Sequence, residues 1–236
     1  MNRKIVFTAN TSWYLYNFRK NTIKALIDTG YMVNTVAPDI KYADKLMELG
    51  AVHSTIYMDI HSKNPFKDIK TFFSYIKQYK IIQPHLILNF TPKSNIYSTL
   101  AAKLLGKSVI NNISGLGNIF VSGGITNKIV KFLYKISQPF ACHIFFQNND
   151  DMELFLKKKT VDALKISKLP GSGVNLIQFG FSELPKVSDK FILISRMIME
   201  KGIVEFAMSA ERVKKIYKTV DFAIIGDIEP NNKSGI

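Results

Sequence analysis

Short runs of apolar, β-prone residues alternate along the chain with stretches whose apolar positions recur every three to four residues. The runs predict strands, because a strand buried on both faces of a parallel sheet is apolar throughout, and the stretches predict helices that cover it. The predicted strands span residues 5–9, 31–37, 52–57, 85–90, 109–113, 142–147, 191–195 and 220–226. Hairpin signals such as Asn-Gly hardly occur between them. The alternation therefore predicts an α/β fold with a doubly wound parallel sheet.

Capping residues locate the ends of several predicted helices. Asn64 followed by Pro65 predicts a helix N-terminus, because asparagine caps free N–H groups and proline fits the first turn. Asp39 predicts the start of a shorter helix in the same way. In the helix that begins after Asn64, the spacing predicts that the apolar side chains facing the sheet are Phe66, Ile69, Phe72, Phe73 and Ile76.

The composition changes over residues 169–188, where prolines and glycines interrupt the periodic pattern. Such a stretch is typical of a connection between domains, and it predicts a first domain of residues 1–185 and a second of residues 186–236. The second domain holds one more strand, a helix over residues 201–218 and a further strand. Roughly fifty residues are too few to cover both faces of a parallel sheet, so we expect the second domain to be the truncated start of a larger one.

The chain is strongly basic. Its 32 lysines and arginines against 18 acidic residues give a formal net charge of +14, which attracts nucleic acid, anionic lipid or phosphorylated ligands. The sequence has no helix-turn-helix, RNP-type aromatic motif or zinc finger, so we predict no nucleic-acid partner. The single cysteine, Cys142, excludes an intrachain disulfide, and the cysteine and histidines lack metal-ligand spacing, so no metal is predicted.

Cofactor and targeting motifs are absent from the sequence. Gly115 and Gly117 begin like a dinucleotide fingerprint, but Phe120 replaces its third glycine and no acidic residue follows at the required distance. We therefore predict no cofactor. The first apolar run is too short for a signal peptide and no stretch is apolar enough to span a bilayer, which predicts a cytoplasmic protein that can attach to the inner face of the plasma membrane.

Amides and hydroxyls follow the predicted strands, at the edge of a parallel sheet where ligands bind. They are Asn10, Thr11 and Ser12 after the first strand, Asn89, Thr91 and Lys93 at the fourth, Ser114, Gly115 and Gly117 after the fifth, and Gln147 and Asn148 after the sixth. Groups that both donate and accept hydrogen bonds suit a neutral polyhydroxylated ligand such as a sugar. The same residue types are also common in loops without a ligand, and the pattern leaves both interpretations open.

Three further sets of basic residues are candidates for binding anions. Arg196 and Lys201, with Gly202, precede the helix of the second domain, where free N–H groups and two cations could hold a diphosphate. Two lysine stripes share predicted helix faces, Lys67, Lys70 and Lys77 on one helix and Lys128, Lys131 and Lys135 on another, each opposite apolar residues. Each lysine contributes about 1 kcal/mol near an anionic leaflet, so the stripes predict a membrane-facing surface, with a merely solvated face as the alternative.

Several strings of the chain together resemble bacterial glycosyltransferase family 4 (group 1). They are Asn10-Thr11-Ser12, residues 89–94, residues 113–117, Gln147-Asn148, residues 169–175, and Arg196 with the Lys201-Gly202 pair. The resemblance extends over all 236 residues. It implies the GT-B fold of two Rossmann-like domains, in which the N-terminal domain binds the acceptor and Arg196, Lys201 and Gly202 bind the donor diphosphate.

The resemblance implies a retaining transfer of a sugar from a UDP-sugar to a lipid-linked or polysaccharide acceptor. Such enzymes act in surface-polysaccharide biosynthesis, of lipopolysaccharide or capsule, without a metal. The family's pair of glutamates separated by seven residues does not occur in the 236 residues, so no catalytic residue is assigned and little activity is expected of this chain by itself. The alternatives are a non-catalytic basic module that binds a membrane or a partner, and a fragment of a nucleotide-sugar epimerase.

Overall fold

The computed structural model of the chain describes residues 3–60, 62, 64–116, 124–184 and 189–227. The chain divides into two compact units, Met1–Gln178 and Phe179–Ile236, and each is described by itself. The domain boundary expected at residue 185 stays a prediction, because residues 185–188 lie outside the described ranges.

Parallel strands form the sheet of the first unit, in the order β3-β2-β1-β4-β5-β6-β7. They are β1 Lys4–Thr8, β2 Met32–Ala37, β3 Val52–Thr55, β4 Leu86–Asn89, β5 Ser108–Ile113, β6 His143–Phe146 and β7 Ile166–Lys168. Every pairing is parallel, which confirms the predicted α/β class. The last strand, β7, was missing from the sequence prediction, because its three residues are too few to show a period.

Helices connect these strands. They are α1 Ser12–Asp28, α2 Ala43–Glu48, α3 Pro65–Ile82, α4 Thr99–Leu104, α5 Ile125–Ser137 and α6 Asn149–Lys157, with a π-helical segment Ser94–Ser98 that leads directly into α4. The predicted cap at Asn64 is confirmed, since its side chain accepts the N–H of Phe66 at 2.9 Å. The predicted cap at Asp39 is wrong. Tyr42 occupies that position of α2, and Asp39 instead accepts the backbone N–H of Ser12 at 2.8 Å.

Apolar side chains cover both faces of the sheet. Val6 and Phe7 are neighbours on β1, both are fully buried, and they belong to different core clusters. Successive side chains of a strand point to opposite faces, so the two clusters lie on opposite sides of the sheet. This arrangement is the doubly wound architecture that the sequence predicts.

The buried face of α3 agrees with the prediction at Ile76, which is buried, and at Phe72, which packs partly buried against the core, and differs from it at the other three positions. Phe66, Ile69 and Phe73 are 74%, 51% and 59% exposed, whereas Tyr75 and Tyr79 are fully buried. The Tyr75 hydroxyl is hydrogen-bonded to Thr8 Oγ1 at 2.8 Å and to Ser94 Oγ at 2.9 Å, and the Tyr79 hydroxyl is hydrogen-bonded to Ser98 Oγ at 2.6 Å. Burial raises the pKa of Tyr75 to about 12, so this hydroxyl stays neutral. Because their hydroxyls have hydrogen-bond partners, the two tyrosines can be buried in the core at no cost in unpaired polar groups.

The second unit contains one strand-helix-strand segment in its described part. It consists of β8 Lys190–Ile194, a 3-10 turn Met199–Lys201, α7 Ile203–Ile216 and β9 Asp221–Ile225. The two strands pair in parallel, from Lys190 opposite Asp221 to Ile194 opposite Ile225. This confirms the predicted order of elements after residue 190.

Candidate functional site

A groove of about 830 Å³ opens on the first unit where the strand order reverses. The chain proceeds from β1 outward to β3 on one side and from β4 to β7 on the other, so β1 and β4 flank the reversal. Crevices beyond the carboxyl ends of such strands are the usual ligand sites of open α/β sheets. Asn10, which follows β1, and Thr91, which follows β4, both line this groove.

Most of the groove surface is apolar. Its apolar lining residues are Ile60, Pro65, Ile69, Phe72, Pro92, Ile96, Leu100, Leu104, Ile129, Val130 and Leu133. Its polar lining residues are Asn10, Ser62, Asp68, Thr91, Lys93, Tyr97, Lys103 and Asn127. The walls are therefore supplied by the first turns of α3, by the π-helical segment with α4, and by α5. A ligand here meets hydrogen-bonding groups at one part of the groove and hydrocarbon along the rest.

Lys93 orders the polar part of the groove. Its ammonium donates to the carbonyl oxygens of Asp59 at 2.9 Å and Ser62 at 2.8 Å, and to Asp68 Oδ1 at 2.5 Å. An ammonium has three N–H donors, so all three are used. Lys93 therefore ties the loop before α3 to the sheet edge, and all three of its N–H groups bond to the protein itself in this structure.

Asp68 also accepts a hydrogen bond of 2.9 Å from the Tyr97 hydroxyl. Burial, with the hydrogen bond to Asp68 and the negative charge of that carboxylate, raises the pKa of Tyr97 well above its usual range. Tyr97 is thus a neutral donor, and the two side chains with Lys93 form a closed polar cluster. The sequence did not reveal this cluster, because Asp68 lies 25 residues from Lys93 and 29 from Tyr97 in the chain.

The three residues predicted after β1 have different structural roles. Thr11 caps α1 by accepting the N–H of Tyr14 at 3.1 Å, and Ser12 is fully buried and bonded to Asp39. The Asn10 side chain, in contrast, makes no hydrogen bond within the part of the chain that the structure describes. Of the three predicted residues, Asn10 is therefore the one whose side-chain polar groups are available to a ligand.

Asn89 is buried beneath the site. Its amide donates to Asn111 Oδ1 at 2.8 Å and accepts the Ser98 hydroxyl at 2.7 Å, and the residue has no exposed surface. The Asn111 amide donates in turn to Gln138 Oε1 at 2.7 Å. These bonds connect β4, β5 and the turn after α5, so Asn89 supports the sheet edge and does not reach a ligand, contrary to its predicted role.

The predicted residues after β5 and β6 lie at the same edge of the sheet. Ser114 and Gly115 are exposed, and a Cβ built on Gly115 would meet no atom within 4 Å, which leaves room for close approach to the backbone. Gln147 is partly buried and donates to Asn112 Oδ1 at 3.3 Å. Asn148 caps α6 by accepting the N–H of Asp151 at 2.8 Å. Gly117, also predicted, lies outside the described residues.

Both helices with lysine stripes also expose large apolar side chains. On α5, Ile129, Phe132 and Ile136 are 50%, 60% and 38% exposed and lie beside exposed Lys128 and Lys135. Apolar residues also lie opposite the lysines as expected, since Val130, Leu133 and Tyr134 pack on the core, so α5 carries a second, exposed set of apolar side chains. Such a mixed surface is typical of helices that lie on a membrane.

The α3 stripe is more heavily paired. Lys67 forms an ion pair of 2.7 Å with Asp59, which raises the pKa of the lysine, and Lys70 lies 5.9 Å from the centroid of the Tyr57 ring. Lys77 is exposed, and Lys131 on α5 is partly buried. Among the described helices, none is long and apolar enough to cross a membrane. The described residues also bring no three metal-ligating side chains together.

The basic turn of the second unit has a geometry suited to an anion. Arg196 follows β8, and Lys201 ends the 3-10 turn before α7. Gly202 occupies the N-cap of α7 with φ 72°, a left-handed conformation that favours glycine. The unpaired N–H groups of the first turn of α7 follow immediately, and a helix N-terminus attracts negative charge.

The family model described as "Glycosyl transferase 4-like" matches residues 4–148, which is more than half of the chain. The chain belongs to this family. It is 29% identical to the N,N'-diacetylbacillosaminyl-diphospho-undecaprenol α-1,3-N-acetylgalactosaminyltransferase of Campylobacter jejuni, with 97% of the chain and 64% of that protein covered. It is 28% identical to the UDP-Gal:α-D-GlcNAc-diphosphoundecaprenol α-1,3-galactosyltransferase of Escherichia coli, with 70% and 46% covered. The chain thus spans less than two thirds of each relative's length.

Solved structures show the same fold as this family member. A glycosyltransferase from Rickettsia africae has a TM-score of 0.66 at 18% identity, with 98% of the chain and 62% of that protein covered. The UDP-GlcNAc 2-epimerase of Methanocaldococcus jannaschii has a TM-score of 0.55 at 16% identity, with 98% and 66% covered. The fold is therefore shared by transferases and epimerases, so only the residues of the site can distinguish the two activities.

The apolar residues that form the groove walls were not predicted from the sequence of this family member. Asn10 and Thr91 were identified because they follow strands, but Ile69 was assigned to the core and Ile129 was not considered. One signal was present: α3 has more apolar positions than one buried face needs, at Phe66, Ile69 and Phe73 as well as around Tyr75. An excess of this kind indicates a helix with two apolar faces, one of them uncovered.

Proposed function

We propose that the chain forms the acceptor-binding unit and part of the donor-binding unit of a retaining glycosyltransferase, which transfers a sugar from a UDP-sugar to a lipid-linked acceptor in surface-polysaccharide biosynthesis. The observation that carries the proposal is the groove at the strand reversal, where Asn10 and Thr91 meet apolar walls. The two relatives are named for acting on saccharides carried by diphospho-undecaprenol, a molecule with one polar and one apolar part.

In this proposal the acceptor saccharide lies along the carboxyl edge of the sheet. The Asn10 amide supplies both a donor and an acceptor, and Gln147 and Ser114 supply further polar groups from the neighbouring strands β6 and β5. Gly115 lets a sugar hydroxyl approach the backbone. Amide and hydroxyl groups match sugar hydroxyls, which donate and accept in turn.

The donor diphosphate is proposed to lie at the basic turn of the second unit. Arg196 and Lys201 would supply charge-assisted hydrogen bonds, and the N-terminus of α7 would add the partial charge of its free N–H groups. The name of one relative includes UDP-Gal, which supports a uridine diphosphate sugar as donor.

The lysines and exposed apolar side chains of α3 and α5 are proposed to hold the protein on the anionic inner face of the plasma membrane. Lys128 and Lys135 flank Phe132 on one exposed surface, so cations would meet lipid headgroups where the phenyl ring enters the interface. A peripheral position of this kind would bring the groove to a lipid-borne acceptor.

Acceptor binding tests the first unit. We expect Asn10→Ala to weaken binding of a polyprenyl-diphosphate-linked N-acetylhexosamine in detergent micelles about fivefold, because one neutral hydrogen bond contributes about 1 kcal/mol. Titration calorimetry or fluorescence would measure it. Asn21→Ala, at an exposed position of α1, is the matched control and should bind like the unchanged chain. Equal affinities for the Asn10 variant and its control would contradict the acceptor assignment.

Turnover distinguishes the proposed reaction from epimerisation. With the acceptor and a UDP-sugar together, we expect residues 1–236 to give little transfer product, because the glutamate pair of the family is absent from them. Conversion of the UDP-sugar without an acceptor would favour the epimerase instead. Rapid transfer would contradict the expected low activity and at the same time establish the reaction class.

Donor binding tests the second unit. We expect Lys201→Ala and Arg196→Ala each to weaken UDP binding by about tenfold or more, because charge-assisted hydrogen bonds contribute about 1.5–3 kcal/mol each. Lys218→Ala removes an exposed lysine of the same unit and is the control. If all three variants lose the same affinity, general basicity explains UDP binding and the specific site is contradicted.

A further inference from the structure

The groove has two chemically distinct ends. The π-helical segment and α4 run from Ser94, at the carboxyl edge of the sheet, to Leu104 near the opposite edge. Ile96, Leu100 and Leu104 follow one another at four-residue spacing along the groove, a distance of about 12 Å for a helix. The polar residues Asn10 and Thr91 lie at the starting edge. The groove thus leads from the sugar-facing edge of the sheet along a path lined by hydrocarbon.

No element of the first unit in the described ranges covers this path. Ile69 on α3 and Ile129 on α5 are each about half exposed, at 51% and 50%, and Leu104 is 65% exposed. Uncovered apolar surface of this kind is costly in water and marks a site that another molecule occupies. Because the surface is concave, its occupant must enter it, and a flat layer of headgroups cannot do so.

The charges around the groove favour an anionic occupant. The carboxylate of Asp68 is neutralised by Lys93, so the remaining charged side chain that lines the groove is Lys103. Helix α5 carries Lys128, Lys131 and Lys135 and no acidic residue. These lysines attract an anionic molecule to this side of the unit in general, whereas Lys103, next to Leu104, lies at the apolar end of the groove, so the apolar walls are what place the hydrocarbon.

We infer that the groove holds the first isoprene units of the polyprenyl diphosphate that carries the acceptor saccharide. This inference rests on the proposed function and names the part of the substrate that lies on α3, α4 and α5. The saccharide extends toward Asn10, and the chain passes between Ile69 and Ile129. Beyond the groove it meets the exposed apolar residues Phe73 and Phe132, which we place at the lipid surface.

Two soluble probes test the inference without a membrane. Both carry N-acetylglucosamine diphosphate, one esterified to a ten-carbon isoprenoid and the other to a methyl group. We expect the isoprenoid probe to bind the unchanged chain about tenfold more tightly, because about two isoprene units leave water. Equal binding of the two probes overturns this inference alone. Binding of neither probe overturns both the inference and the proposed function.

Matched variants locate the isoprenoid. Ile129→Gln makes one groove wall polar, and we expect it to weaken the isoprenoid probe about fivefold and leave the methyl probe unchanged. Ile136→Gln changes the same residue type on the same helix outside the groove lining and should affect neither probe. Leu104→Gln, at the exposed far end, repeats the test should Ile129→Gln fail to fold. Equal losses in the groove variants and Ile136→Gln overturn the assignment of the groove.

Discussion

Lys93→Met is expected to lower the free energy of unfolding by about 3 kcal/mol, because it leaves a largely buried carboxylate without its cation. Lys93 and Asp68 form an ion pair of 2.5 Å, and their side chains are only 18% and 15% exposed. The change also removes the two hydrogen bonds that hold the loop before α3. Chemical denaturation monitored by circular dichroism would measure the loss.

Two comparisons isolate the buried charge. Lys24→Met breaks the Lys24–Asp28 pair, whose side chains are more than half exposed, and should change the free energy of unfolding by less than about 0.5 kcal/mol. The double variant Lys93→Met with Asp68→Asn removes both charges and should recover part of the stability that the single change loses. If Lys93→Met lowered the free energy of unfolding no more than Lys24→Met does, the Lys93–Asp68 pair would contribute no more to stability than an exposed ion pair.

Asn111→Leu is expected to lower the free energy of unfolding by about 3 kcal/mol, because it removes one of the two hydrogen bonds donated by the buried Asn89 amide and the hydrogen bond that the buried Gln138 Oε1 accepts. Asn111 is fully buried and bonds to both of them, at 2.8 Å and 2.7 Å. Leucine has a similar size, so the loss reports missing hydrogen bonds more than a cavity. Denaturant titration gives the stability, and acceptor binding should weaken too, because the network supports strands β4 and β5.

The control for this change is Asn21→Leu on the exposed face of α1, which should leave the free energy of unfolding within about 0.5 kcal/mol of its original value. If Asn111→Leu were equally mild, the buried polar network would be replaceable by hydrocarbon and would not define the sheet edge.

The sheet was predictable because its strands are apolar on both faces. Residues 5–9 are recognisable without any knowledge of their partners, since only a strand covered on both sides needs such a run. The α3 face was not predictable in this way. Tyr75 and Tyr79 can be buried because their hydroxyls are hydrogen-bonded to Ser94 and Ser98, nineteen residues later in the chain. A residue's own hydrophobicity does not contain that information.

The candidate site, too, was predictable only in part. Asn10 and Thr91 follow from strand ends alone, because parallel strands bring their carboxyl ends to one edge. The roles of Lys93 and Asn89 required the partners that the fold supplies, Asp68 for one and Asn111 for the other. Both residues hold the structure around the site through hydrogen bonds within the protein.

The central place of β1 also governs how the chain assembles during synthesis. Strand β1 leaves the ribosome before its two neighbours, and β2 can pair with it early, from Lys4 opposite Met32 onward. Its other side pairs with β4, where Ile5 lies opposite Leu86, so that edge stays open until eighty more residues have been made. Chaperones that bind exposed strand edges have their longest opportunity in this interval, well before the groove exists.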